Sequence, residues 1–236
     1  MDVPAVVASI ESDLRAVSTP ERAEGQKRYL KSDFEFLGAT VPAIRKIAKA
    51  VRRTHPDLDH DTLMDLTATL WEPPVFETRL AAVELLTLHL PLLEAGDLPV
   101  VETMIRQSKT WALVDVLAAT VVGDLITRFP PLNQTLDRWA TDPDFWIRRS
   151  ALLAHLKPLR EGGDFERFSG YADAMLEEKE FFIRKAIGWV LRDMSHPRPQ
   201  LVAEWVGPRT HRMSGVTIRE AVKKLPPEQA ESFMEA

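Results

Sequence analysis

The chain has 236 residues, 45% hydrophobic and 28% charged, a balance that fits a folded globular protein and excludes intrinsic disorder. It contains no cysteine, which excludes disulfides, iron–sulfur clusters, thiolate zinc sites and a cysteine nucleophile. A formal net charge of −5, taken alone, argues mildly against a nucleic-acid partner. The length suits a single domain spanning 1–236, built as one repeat array.

The N-terminal stretch MDVPAVVASIESDLRAV has no basic segment followed by an apolar core, so no secretory signal is expected. Next comes KRYLKSDFEFLG, where Tyr29 sits among Lys27, Arg28 and Lys31. Apolar residues then recur at three- and four-residue spacing over 42–51, 61–70, 76–90, 111–126, 146–156, 181–192 and 216–225, which predicts helices. Between them lie turn signals such as HPDLDHD, EPP, EAGDLP, FPPLN, REGGD, SHPRP and LPPE, and Pro226 is expected to end the final helix. Most of the prolines fall in these connectors or at helix starts, where a missing N–H costs little. LLTLHLPLL and WALVDVLAATVVGDLI are too short or too interrupted to span a bilayer. No alternating run suggests a strand, so the chain reads as all-α.

A fixed period underlies these helices. Aligning PAIRKIA, FETRLAA, WALVDVL, FWIRRSA, FFIRKAI and VTIREAV puts Arg45, Arg79, Val114, Arg148, Arg184 and Arg219 in one column, spaced 34, 35, 34, 36 and 35 residues apart. That is the signature of stacked helical hairpins, and about six HEAT-like repeats account for nearly the whole chain. The next column reads Lys46, Leu80, Asp115, Arg149, Lys185 and Glu220. The third repeat breaks both columns, and Asp115 is the one ionised residue between Lys109 and Asp124. A carboxylate in a helix of Trp, Leu, Val and Ala needs a cation, either an Arg of a neighbouring repeat or a cationic ligand.

Charge is distributed unevenly. Residues 27–53 hold eight Lys/Arg against two Asp/Glu, and 145–224 hold fifteen against ten. These runs are solvated helix faces or, if they share one side, a surface for a polyanion. Trp111 and Asp115 are four apart and share a helical face, while Trp189 follows Gly188, whose missing side chain is expected to leave backbone uncovered beside the indole, with Arg184, Lys185 and Arg192 around it. Indoles beside a carboxylate suit a cationic aromatic group. The alternative for Trp111 is repeat-on-repeat packing, since its column also holds Phe76, Phe145 and Phe181. The six histidines are scattered without metal-ligand spacing, and no phosphate-binding glycine loop or nucleophile elbow occurs, so neither metal nor cofactor is expected.

YLKSDFEFLG with Pro42 beyond it, Trp111-x-x-Val114-Asp115, FWIRR, FFIRKAIGWVLRD and IREAVKKL, in that order over residues 10–225, resemble the AlkD-type bacterial DNA alkylation repair glycosylases. The resemblance implies a right-handed α-solenoid, a superhelix with a concave DNA-binding face. It also implies a monofunctional, monomeric enzyme of the bacterial cytosol and nucleoid, with no obligate protein partner. Such an enzyme excises 3-methyladenine and 7-methylguanine from duplex DNA, without flipping the base into a pocket. By motif position, Asp115 matches the catalytic carboxylate, Trp111 and Trp189 the lesion-facing indoles, and Arg149 a backbone-contacting residue. Tyr29 falls on a matching aromatic, and Lys27, Arg148, Arg184 and Lys185 are the further DNA-binding candidates. Ala112 departs from the family, many members having Asp there. A non-catalytic DNA-structure binder of the same family and a repeat scaffold for proteins are the alternatives.

Overall fold

The computed structural model describes residues 1–235. Among them no strand forms, and the one isolated bridge joins Glu35 to Val75. The chain divides into two compact units, Met1–Leu117 and the remainder from Ala118 on. The first holds α1 (Val3–Ala16), α2 (Pro20–Leu30), α3 (Val41–Thr54), α4 (His60–Trp71), α5 (Phe76–Leu88), α6 (Leu98–Ser108) and α7 (Trp111–Val116). The second holds α8 (Gly123–Arg128), α9 (Asn133–Trp139), α10 (Phe145–Leu153), α11 (Leu156–Arg160), α12 (Phe165–Ala174), α13 (Phe181–Met194), α14 (Pro199–Val206), α15 (Gly215–Ala221) and α16 (Pro227–Glu235).

The sequence period corresponds to one set of helices. Each aligned motif lies in α3, α5, α7, α10, α13 or α15. Within the first unit α3 packs on α5 and α5 on α7, and within the second α10 packs on α13 and α13 on α15. A second set flanks these: α4 against α5 and α6 against α7, then α9 and α12 against α10 and α14 against α13. This is the all-α repeat stacking expected of a solenoid. Three boundaries differ from the periodic reading. The helix over 111–126 changes to π-helix at Leu117–Val122, and the one over 146–156 breaks between α10 and α11. The helix over 216–225 ends at Ala221, and the Pro226-Pro227 pair opens α16 rather than merely closing the chain's last helix, because proline fits the first turn.

Helix starts are chemically marked. Asp2, Thr19, Thr40, Asp59, Asp144, Asp164, Glu180 and Ser214 each accept a backbone N–H from the first turn. α3 buries Ile44, Ala48 and Val51 on one stripe and turns Arg45, Lys46, Lys49, Arg52 and Arg53 outward. α5 is buried all round from Phe76 to Leu86, so each charge on it requires partners. Glu77 accepts three backbone N–H bonds, from Leu37, Gly38 and Ala39 at 2.9, 2.7 and 3.2 Å. Arg79 donates to the carbonyls of Pro73 and Gln107, and Glu84 accepts from Arg45. Glu77 thereby pins the α2–α3 connector, where Gly38 has φ +96° and a Cβ would lie 2.1 Å from the Thr19 carbonyl oxygen. That explains the glycine closing the first motif.

Candidate nucleic-acid interface and catalytic residues

In the first unit the candidate residues converge on α7. A two-residue turn joins α6 to α7: Lys109 is left-handed at φ 47° and Thr110 extended, which makes Trp111 the first residue of the helix. Trp111 is half-buried, and the ring of Tyr29 from α2 meets it edge-on with centroids 6.0 Å apart and planes at 85°. Tyr29 itself is 73% exposed, unusual for an aromatic and suited to a contact surface. Asp115 follows one turn after Trp111 on α7 and is likewise half-buried. Val114, which replaces the column arginine, is fully buried, so the third repeat exchanges a charged position for core packing. A recess of about 300 Å³ with mainly apolar walls adjoins Tyr29 and Trp111.

Lys27, on α2, is exposed and makes no ion pair among the described residues. Of the residues around it in sequence, Arg28 and Lys31 are exposed as well. Ala112 is half-buried, and the hydroxyl of the cap residue Thr110 is buried without a hydrogen-bond partner. The start of α7 therefore lacks the side-chain cap present at most other motif helices.

In the second unit two column arginines, Arg148 and Arg184, serve the backbone. Arg148 forms a two-pronged pair with Glu178, Nε to Oε1 at 3.0 Å and Nη2 to Oε2 at 2.8 Å, and donates to the carbonyl of Asp142 at 2.6 Å. Arg184 donates to the carbonyl of Glu178 at 2.7 Å. Arg79, in the first unit, bonds Pro73 in the same way. In all three the acceptor lies six residues upstream, so, whereas Arg45 on α3 donates to Glu84, these arginines tie α5, α10 and α13 to the connectors that lead into them. This role was not visible in the sequence, because a recurring Arg reads equally as a surface charge.

Arg149 is buried at 4% exposure; it donates to the Phe182 carbonyl, and its guanidinium lies 5.7 Å from the centre of the Phe182 ring. Phe182 in turn belongs to an aromatic cluster with Phe145, Trp146 and Phe181. Lys185 donates to Glu220 at 2.6 Å, and Arg192 pairs with the same carboxylate. Trp189 lies one turn after Lys185 on α13, half-buried. The expectation that Gly188 leaves backbone uncovered beside this indole is corrected: Gly188 is buried against α15, and a Cβ there would lie 2.6 Å from Glu220 Cβ and 3.0 Å from the Thr217 carbonyl oxygen. The glycine serves helix–helix approach.

Chemically, the first unit offers a carboxylate, an indole and a phenol, and the second offers an indole with basic side chains. No group of three or more His, Asp or Glu among the described residues could hold a metal, and no described helix is long and apolar enough to cross a membrane.

Residues 10–225 match the model of a family described as DNA alkylation repair enzyme. Among solved structures, a predicted DNA alkylation repair enzyme from Enterococcus faecalis superposes with a TM-score of 0.80 at 24% identity, over 89% of this chain and 97% of that one. AlkD2 from Streptococcus mutans gives 0.58 at 16% identity, over 85% and 98%, and smu.31 from Streptococcus mutans UA159 gives 0.58 at 16%, over 79% and 93%. At these identities the likeness is one of fold. No curated protein sequence matches the chain.

Proposed function

Because the chain belongs to the DNA alkylation repair enzyme family, we propose that it is a monofunctional glycosylase that hydrolyses the N-glycosidic bond of cationic 3- and 7-alkylated purines in duplex DNA. The observation that carries this reading is the pairing on α7 of Trp111 with Asp115 one turn later, with Tyr29 set edge-on against the indole.

Alkylation of a ring nitrogen gives the purine a positive charge, so the base is a good leaving group without a general acid. As the bond from C1′ to the purine nitrogen stretches, its electron pair stays with the base, which becomes neutral, and positive charge passes to the deoxyribose. A fixed carboxylate beside C1′ stabilises that charge. It also accepts a proton from the water whose oxygen bonds to C1′, and releases it to solvent. The Trp111 indole holds the cationic sugar by cation–π attraction, worth about 2 kcal/mol where water is excluded, and Trp189 is the candidate indole of the second unit. Lys27, Arg148, Arg184 and Lys185 hold phosphates and set the register, and Arg149, buried on the Phe182 carbonyl, joins them by exchanging that contact for a phosphate. The substrate's own charge supplies the activation that a metal or a Schiff-base lysine supplies elsewhere, so unmodified purines are poor substrates and no lyase step follows. The base need not be extruded, and the enzyme acts as a monomer.

The test is a single-turnover assay on randomly methylated duplex DNA in EDTA, scoring free alkylpurines. Asp115→Asn lowers the rate of 7-methylguanine release about 10²-fold or more while duplex affinity changes little. Release at the wild-type rate by this variant removes the mechanism. Duplex binding without base release by the wild-type chain leaves a non-catalytic DNA binder instead.

A further inference from the structure

The recess beside the Trp111–Tyr29 pair lies wholly in the first unit. Leu30, Phe76, Leu80 and Val116 supply apolar wall, and Gln26 and Arg45 bring the polar side chains. Gln26 donates its amide N–H to the Ala39 carbonyl at 2.7 Å, while its Oε1 is buried with no hydrogen-bond partner. An orphaned acceptor of this kind is destabilising, and a ligand N–H relieves it. Arg45 gives its Nε to Glu84 at 2.8 Å, and its side chain is 52% exposed, so the outer guanidinium nitrogens are open to an acceptor.

We propose that this recess binds the free purine base released by the reaction, an inference that rests on the glycosylase reading above. Three properties select that ligand. A volume of about 300 Å³ is at the lower end of ligand pockets and is ample for a bicyclic heteroaromatic base. Aromatic side chains line it at Tyr29, Phe76 and Trp111, and these favour a flat ring. Charge decides between substrate and product: the alkylated base is cationic in DNA and neutral once the bonding electron pair has stayed on its nitrogen. The Arg45 guanidinium at the recess repels the cation and accepts the neutral base. A purine N–H meets Gln26 Oε1, and an exocyclic oxygen or ring nitrogen meets Arg45. The recess is thus a product site next to the residues proposed to act on the sugar, and free base is expected to slow later turnovers.

Saturation-transfer NMR with free 7-methylguanine or 3-methyladenine and the DNA-free protein tests this. The wild-type chain gives saturation transfer to the purine protons. Ala112→Leu, which extends a side chain into the recess, and Gln26→Leu, which removes the acceptor, each weaken binding at least tenfold while circular dichroism shows the fold retained. Absence of transfer up to the solubility limit of the bases, or unchanged affinity in both variants, overturns the product site. Base excision measured on the same preparation keeps the two readings apart. Excision without free-base binding overturns the recess alone, and free-base binding without excision sustains the recess while overturning the glycosylase.

Discussion

Lys27 and Arg148 carry the same charge and, in the proposed function, the same phosphate-holding task, but their surroundings separate them. Lys27 stands exposed with no ion pair among the described residues, whereas Arg148 bridges Glu178 and the carbonyls of Asp142 and Pro143 with 18% of its side chain exposed. Lys27→Ala is expected to weaken duplex binding and leave the denaturation midpoint unchanged. Arg148→Ala is expected to cost about 2 kcal/mol of stability, because a half-buried pair and two backbone acceptors lose their donor. Urea titration beside a binding isotherm for each variant checks both. His155 is a second case in which environment sets behaviour. Its side chain is buried beside Phe168 and Tyr171 with Nε2 unpartnered, and burial lowers its pKa from 6.5 to about 4. Between those values the unfolded chain holds a proton that the folded chain does not, so stability rises with pH across the window and is complete above 6.5. The contribution is on the order of 3 kcal/mol. His155→Leu is expected to flatten the slope of unfolding free energy between pH 4.5 and 6.5, and an unchanged slope would assign the acid sensitivity to other groups.

At the scale of helices, the same substitution has opposite effects in different places. Gly188 on α13 faces Glu220 Cβ, an atom fixed to the α15 backbone, so Gly188→Ala must push the two helices apart. The expected loss is about 1–3 kcal/mol, and the Lys185–Glu220 pair lengthens with it. Gly25 in α2 and Gly170 in α12 have nothing within 4 Å of where a Cβ would stand. There Gly→Ala removes only the entropic penalty of a helical glycine and stabilises by about 0.5–1 kcal/mol. Thermal melts of the three variants check the difference in sign. Gly188 also shows what a sequence can and cannot reveal. Its motif was visible, but its purpose depends on a helix 30 residues further on. The repeat was legible because the motif helices recur at 34–36-residue intervals with an arginine at the same position in five of the six. The flanking helices α6, α9, α12 and α14 were less so, since their shorter apolar stripes carry a weaker period. Glu77 was missed because a glutamate in a first turn reads as a favourable dipole partner, and nothing local announces a connector some 40 residues earlier. In the candidate site, Trp111 and Asp115 were readable from their spacing on one helix. Their neighbour Tyr29 could be named as an aromatic but not placed, since its contact with Trp111 spans most of the first unit.

Across the whole molecule, the two basic segments of the sequence are electrostatically unequal. In the second, Arg148 pairs with Glu178, Lys157 with Asp124, Arg160 with Asp193, Arg167 with Asp137, Lys185 and Arg192 with Glu220, and Arg209 and Arg212 with Asp173. In the first, only Arg45 has a carboxylate partner, Glu84; Lys27, Arg28, Lys31, Lys46, Lys49, Arg52 and Arg53 form no ion pair among the described residues. A chain with a net charge of −5 thus keeps its longest run of unpaired cations on α2 and α3, while Lys179, Arg219, Lys223 and Lys224 of the second segment likewise form no ion pair among the described residues. Positions 46, 49 and 53 lie on one face of α3 at helical spacing, so a polyanion could meet all three together. Changing Lys46, Lys49 and Arg53 together to Ala is expected to reduce the slope of log affinity against log salt by about 0.9 for each phosphate that is no longer neutralised. Changing Lys157, Arg160 and Arg167 together is expected to lower stability and leave that slope unaltered, since each already neutralises a carboxylate of its own unit. Salt titrations of duplex binding by the two triple variants separate a phosphate track from an intramolecular ion-pair lattice. Equal slopes in both would mean that DNA draws on the paired cations as readily as on the unpaired ones, and that the net negative charge sets no preference for α2 and α3.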